Sequence, residues 1–334
     1  MATLALALRR PYLLFRKPTQ DTTQGIDGTY TSDAPRLCNF DALPKWYQDN
    51  PYILTAYRPV SNSYHSCIRS LTYLHNETLN IYTHLIPATI LALALPTLQL
   101  RISQLYPEAP LLDRFVLTLT PMAALATLAL SSTYHTLMNH SAVVSASCLL
   151  LDYTGILGLI LASFISGIYV GFYDSLFHQN LYWTMILSLL LITCTLVLHP
   201  RLQGPVYRSH RTAAFILTAL SGLAPVVHGC LFYGFRIAFW ERGVLWWLLE
   251  GLWYGIGATF FASRFPEKMA QRRYDIFGSS HQIFHVCVVA GAAAHCWGVW
   301  VAWRGFYGHP FFNNRTIGAT VARLIPASAE SPEG

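Results

Sequence analysis

Two histidines four residues apart, His281 and His285, head the last long apolar stretch of the chain. That stretch opens Ser280-His281-Gln282-Ile283-Phe284-His285 and runs on to about Trp303. At this spacing both imidazoles leave the same face of a helix, one turn apart. Ring nitrogens that face hydrocarbon need a partner, because an unsatisfied polar group there costs several kcal/mol. A metal ion is one such partner; a helix–helix hydrogen bond is the blander one. On the pair alone the hydrogen bond is the better reading.

The elements that must position them follow from composition. Of 334 residues, 53% are hydrophobic and only 11% charged, whereas about a quarter of a soluble domain is charged. The apolar residues are also blocked into long runs, which argues for a polytopic membrane protein of the plasma membrane or an endomembrane. Runs of about 20 residues, the length a bilayer requires, predict an all-α, seven-transmembrane helix bundle. The spans fall near Asn80–Leu100, Phe115–Met138, Ala146–Val170, Leu181–Leu198, Ala213–Tyr233, Val244–Ser263 and Ser280–Trp303. An odd number of spans puts the two termini on opposite sides. Basic residues near the span ends lean toward a cytoplasmic N-terminus and an external C-terminus. The domain reading is a flexible tail over 1–36, an interfacial or capping segment over 37–79, the membrane domain over 80–303 and a short external tail over 304–334.

Other features bound the function. The cysteines form no CxxC pair, and most lie in apolar runs where a thiol acts as a small hydrophobe. A formal charge of +6 suits loops that meet anionic headgroups and does not call for nucleic acid. Met1 to Arg10 places its apolar part before its charges, the wrong order for a signal peptide. Asn314-Arg315-Thr316 is a glycosylation acceptor whose modification would fit an external tail, whereas modification at Asn76-Glu77-Thr78 would reverse the topology.

Polar residues inside spans are expensive and face a cavity or a partner. His135 ends the second span in Ser131-Ser132-Thr133-Tyr134-His135, and Asp152 begins the third in Leu151-Asp152-Tyr153. Because spans alternate direction, these positions share one side of the membrane with His281, His285 and the segment Glu77 to His84. Three histidines with one open position form the pattern of a catalytic zinc; structural zinc is closed by four protein ligands. His135, His281 and His285 are the candidate ligands. Asp152 is the carboxylate that would hold or deprotonate a water at the metal. Ser131, one helical turn before His135, reaches the same place. Singly, each of these residues is better read as an interhelical hydrogen-bonding or packing residue; their common depth favours the metal. Glu77 and His84 read instead as a helix start, with Asn76 or Thr78 as cap. Glu250 has no visible partner, His228 and His295 have no metal role, and Trp246, Trp247, Trp297, Trp300 and Trp303 read as interfacial belts.

Taken in order, Glu77-Thr78-x-Asn80-x-x-Thr83-His84, Ser131-x-x-x-His135, Leu151-Asp152-Tyr153-x-Gly155-Ile156, Phe265-Pro266-Glu267 and Asp275-Ile276 leading to Ser280–His285 resemble the progestin and adipoQ receptor family. That family includes haemolysin III-related and fungal zinc-homeostasis membrane proteins, and the resemblance covers roughly residues 43 to 303. It implies seven helices with a cytoplasmic N-terminus and a Zn2+ ion held by the residues matching His135, His281 and His285. Asp152 matches the water-holding carboxylate and Ser131 the nearby hydroxyl. Some members are described as ceramidase-like hydrolases, others as receptors for protein ligands or hormones or as affecting zinc and sterol balance. The implied substrate is therefore a ceramide-like membrane lipid, and the implied partner an extracellular protein ligand. Ser166-Gly167 departs from the Pro-Trp of animal adiponectin receptors. The leading expectation is zinc-dependent hydrolysis of a lipid amide. Its rivals are a receptor whose zinc only clamps helices and, last, a zinc transporter or sensor.

Overall fold

The computed structural model describes residues 36–203 and 205–308, so the N-terminal tail up to Pro35 and the Asn314 acceptor lie outside the described residues. Within them seven helical segments are long and apolar enough to cross a membrane. They are Thr78–Leu105, Leu111–Leu137, Ala142–Gly171, Leu176–Leu198, Arg208–Tyr233, Val244–Ser263 and Ser280–Gly308. Leu93, Leu191 and Leu231 point outward along them, a cost in water but the ordinary state of a surface facing acyl chains.

Several spans outrun the expected boundaries, each for a visible reason. The first continues to Leu105 because Gln99 donates to Thr118 Oγ1 of the second at 2.8 Å and Ile102 is buried. The seventh continues past Trp303 because Phe306 is buried and the Tyr307 hydroxyl donates to Asp113 at 2.5 Å. The fifth begins at Arg208 and is two helices, Arg208–Leu220 and Leu223–Tyr233. Pro225 has no N–H for the Ser221 carbonyl, and Gly222 turns back onto Ala219 O instead, so the helix restarts at that point.

The second span is packed between the first and third, and the seventh lies against all three; the sixth packs along the seventh. Small residues permit the last pairing. The Tyr254 ring covers Gly291, Trp247 covers Gly298, and Gly257 receives Phe284 and Cys287, the close approach that membrane helices use in place of a hydrophobic drive. Here the expected tryptophan belt is corrected. Trp303 is fully buried among Ile102, Val116 and Val299, and Trp247 fills a notch between helices, while Trp297 does lie exposed. Packing of Trp247 onto Gly298 and of Trp303 into the core outweighs interfacial anchoring at these positions.

At the end of the bundle where the seventh span begins, residues 36–77 pack across the helix ends. Leu43, Tyr47, Ile53 and Tyr57 form a small core with Met138. Two carboxylates of the loop before the seventh span fasten this segment. Asp275 accepts from Thr55 N at 2.8 Å and Thr55 Oγ1 at 2.6 Å, and Glu267 accepts from Asn50 Nδ2 at 3.0 Å.

Candidate metal centre

Three helix ends meet beneath that segment. The second span finishes at Leu137, and its last carbonyls, left without intrahelical partners, are met by one fully buried guanidinium. Arg58 donates to His135 O at 2.6 Å and Thr136 O at 2.9 Å. The N–H groups that lead into the seventh span are met in turn by side chains. Glu267 accepts from Ser280 N at 2.8 Å, and Gln282 Oε1 accepts from Gly278 N at 2.6 Å and Ser279 N at 3.2 Å. Both histidine-bearing ends are therefore pinned by hydrogen bonds to groups outside their own helices.

His135, His281 and His285 each offer a ring nitrogen, and these atoms all lie within 4.8 Å of one another. His135 and His285 are buried and His281 partly so. Their partners set the tautomers. His135 Nδ1 donates to Glu77 Oε2 at 2.8 Å, and His285 Nδ1 donates to the Asn80 carbonyl at 2.9 Å. Each ring then presents an Nε2 lone pair. His135 Nε2 stands 3.3 Å from His281 Nε2, so either a proton on His281 Nε2 or a cation must lie between the two nitrogens. A neutral imidazole whose other nitrogen is anchored by a carboxylate or carbonyl is the arrangement metal-bound histidines adopt, so the donor set fits a metal ion with three nitrogen ligands.

Glu77 carries more of the site than its place before the first span suggests. Its oxygens accept from His135, from Asn80 Nδ2 at 2.6 Å and from Asn76 Nδ2 at 2.8 Å. Burial opposes its charge, yet the hydrogen bonds from His135 and Asn80, with Arg58 nearby, hold the carboxyl down to about 2. His84 stacks flat on His285, ring centroids 3.8 Å apart, with Nε2 3.3 Å from the His285 carbonyl. Both residues thus stand against the histidine ligands rather than serving only to start a helix. Neither expected cap donates or accepts in that role. Glu77 occupies the cap position, Thr78 Oγ1 accepts from His75 N, and Asn76 is too buried to take a glycan in the folded chain.

Asp152 is not among the atoms that converge, but its carboxyl lies within electrostatic reach of His135 and beside Ser131. Ser131, one turn before His135, is buried.

Sequence reasoning missed Arg58, which lies in the segment before the first span. It also passed over the pairing of Glu250, whose Oε2 is 2.7 Å from His295 Nδ1. The expectation that Glu250 lacks a partner is therefore corrected. The i, i+3 spacing of Glu77 and Asn80 was a signal that could have found the first-span contribution, since it puts both on one helical face.

Residues 72–296 match the family model described as "Haemolysin-III related". The "ADIPOR-like receptor IZH2" of Saccharomyces cerevisiae is 36% identical over 269 residues, covering 79% of this chain and 83% of the yeast protein. The "Adiponectin receptor protein" of Drosophila melanogaster is 32% identical over 265 residues, covering 79% of this chain and 59% of the fly protein. "Heptahelical transmembrane protein 4" of Arabidopsis thaliana is 32% identical over 357 residues, covering 82% and 90%. With the match to the family model spanning more than half its length, this chain belongs to the haemolysin-III-related family of multi-pass membrane proteins, alongside the adiponectin-receptor-like proteins.

Proposed function

We propose that the protein is a zinc-dependent hydrolase of a ceramide-like lipid amide. The observation that carries this reading is three converging imidazoles, two of them fixed by hydrogen bonds, with the Asp152 carboxylate near one of them. His135, His281 and His285 would hold the ion, and three nitrogen donors leave a position open. A zinc ion bound there supplies Lewis acidity and lowers the pKa of water toward about 7. Glu77 and the Asn80 carbonyl hold two of the imidazoles in the tautomer that directs Nε2 inward. Asp152, steadied by Ser131, accepts the proton of the attacking water as its oxygen bonds to the carbonyl carbon, then delivers it to the nitrogen as the C–N bond breaks. The products are a fatty acid and an amine. An apolar groove of about 290 Å³ between the second and third spans, lined by Leu119, Met122, Gly158 and Leu161 among others, suits part of an acyl chain. Gly158 lies six residues, about 9 Å, along the helix from Asp152.

The metal end of the bundle is read as cytoplasmic, as the basic residues at the span ends suggest. The names of the relatives favour a second reading, a receptor for an extracellular protein ligand in which zinc only clamps helices, with any effect on zinc or sterol balance indirect. Asp152→Asn separates the two. On the hydrolase reading, zinc content stays at the wild-type level while release of fatty acid from ceramide falls by at least 100-fold; full turnover in that variant overturns the hydrolase.

A further inference from the structure

The loop from the sixth span to the seventh, residues 264–279, sorts its charged side chains by sign. Its two acids turn inward: Glu267 is fully buried and Asp275 nearly so, held by Asn50, Thr55 and Ser280. Arg264 stays at the base, with Nη2 3.1 Å from the Asp49 carbonyl. The other bases turn outward, and Lys268, Arg272 and Arg273 are all exposed. Among the described residues none of these three forms an ion pair, and Arg273 only approaches the Tyr274 ring, at 5.9 Å. The exposed charge of the loop is therefore wholly positive.

Apolar side chains stand out on the same loop. Met269 is 80% exposed, Phe277 52% and Phe265 47%. Phe265 lies two residues past the end of the sixth span at Ser263, and Phe277 three before the seventh begins at Ser280. Both rings thus sit at the membrane boundary, where aromatic bodies and long basic side chains divide between acyl chains and headgroups. The backbone between them is fixed in this arrangement. Lys268 N donates to Arg264 O and Met269 N to Pro266 O, each at 2.9 Å.

We propose that this loop is a docking surface for phospholipids with acidic headgroups, in the leaflet at the metal end of the bundle. Phe265, Met269 and Phe277 enter the boundary between headgroups and acyl chains, as the apolar face of an interfacial segment does. Lys268, Arg272 and Arg273 meet the anionic groups above it, which is how clustered bases beside a span recognise such lipids. Exposed apolar groups ringed by charge mark an interaction surface, and the bilayer reached by both ends of the loop favours lipid over a soluble protein. Glu267 of the same loop accepts from Ser280 N, so lipid held here also steadies the turn that precedes His281. The inference is independent of the proposed hydrolysis.

A basic side chain near an anionic surface is worth about a fivefold preference, so three give at most about 100-fold. The test exchanges full-length, metal-loaded protein into mixed micelles holding phosphatidylserine and phosphatidylcholine in equal amounts. Native mass spectrometry then counts the lipid each protein retains. Wild type should retain phosphatidylserine in preference, and Lys268→Gln/Arg272→Gln/Arg273→Gln should lose at least about tenfold of that preference. Arg101→Gln/Arg236→Gln/Arg304→Gln, which removes the same charge from exposed positions toward the opposite end, should keep it. Equal preference in wild type and the loop variant, or equal loss in both variants, overturns the proposal. So does release of the lipid by inorganic phosphate alone, which would make the site one for a free anion. Acylation of Lys268 in wild-type protein gives a second reading that needs no variant. In nanodiscs it should run at least about threefold more slowly with phosphatidylserine present than with phosphatidylcholine alone. Equal rates would put the loop in solution, as a protein partner requires, and overturn the proposal too.

Discussion

Glu77 offers the sharpest test of how the centre is held. All three groups around its carboxylate are donors: His135 Nδ1, Asn80 Nδ2 and Asn76 Nδ2. In Glu77→Gln the amide oxygen can keep His135 and Asn80, but the new NH2 group then faces the Asn76 NH2. Asn76 Oδ1 is buried and without a partner, so a flip of the Asn76 amide turns that clash into a hydrogen bond. The variant thus loses the charge but keeps the geometry. Loss of an outer partner of a metal-bound histidine costs about 10–100-fold in metal affinity. Glu77→Gln should lie near the lower end, about tenfold or 1.4 kcal/mol. Glu77→Ala, which also frees the His135 ring, should lie near about 100-fold. Titration of the purified proteins against a competing chelator, with elemental analysis of the bound metal, measures both. Wild-type affinity in Glu77→Ala would refute the argument that this carboxylate sets the His135 tautomer.

Two further outcomes are expected. Burial, with the Arg58 guanidinium nearby, pushes the His75 imidazole down to about 3. Its stabilising neutral form is fully present above about pH 6.5 and is lost as pH falls toward about 3. His75→Asn, which can still accept from Glu77 N as His75 Nδ1 does, should therefore lose less melting temperature than wild type between pH 7 and pH 5; an equal loss contradicts the assignment. Gly291→Ala would put a methyl group 2.4 Å from the Tyr254 ring. Overpacking of that kind costs about 1–3 kcal/mol, to be read as a lowered melting temperature with zinc content unchanged.

How much of this could be read from the chain depends on distance in sequence and on helical direction. His135, His281 and His285 were legible because polar residues interrupt apolar runs, and alternating spans put those interruptions at one end of the bundle. The same reasoning sets Asp152 and Ser131 at that end of the bundle. Glu77 was harder, since it precedes the first apolar run and looks like a cap until the second span is laid beside it. Arg58 was invisible, as nothing local indicates that a guanidinium in the preceding segment meets carbonyls 77 and 78 residues later. The Glu250–His295 contact depends on the sixth span lying in the glycine notches of the seventh, and periodicity does not reveal which faces of two apolar helices meet. The buried tryptophans failed for the same reason: composition places such rings at the interface, and packing onto Gly298 and around Ile102 decides otherwise.

The central claim is that nitrogen donors from the second and seventh spans converge on one ion. Elemental analysis of the purified protein together with zinc X-ray absorption addresses it directly. The prediction is one zinc per chain with nitrogen ligands at about 2.0–2.1 Å, and loss of that zinc in His135→Ala and in His281→Ala alike. Zinc-free wild-type protein, or zinc that survives both substitutions with an unchanged spectrum, would contradict it.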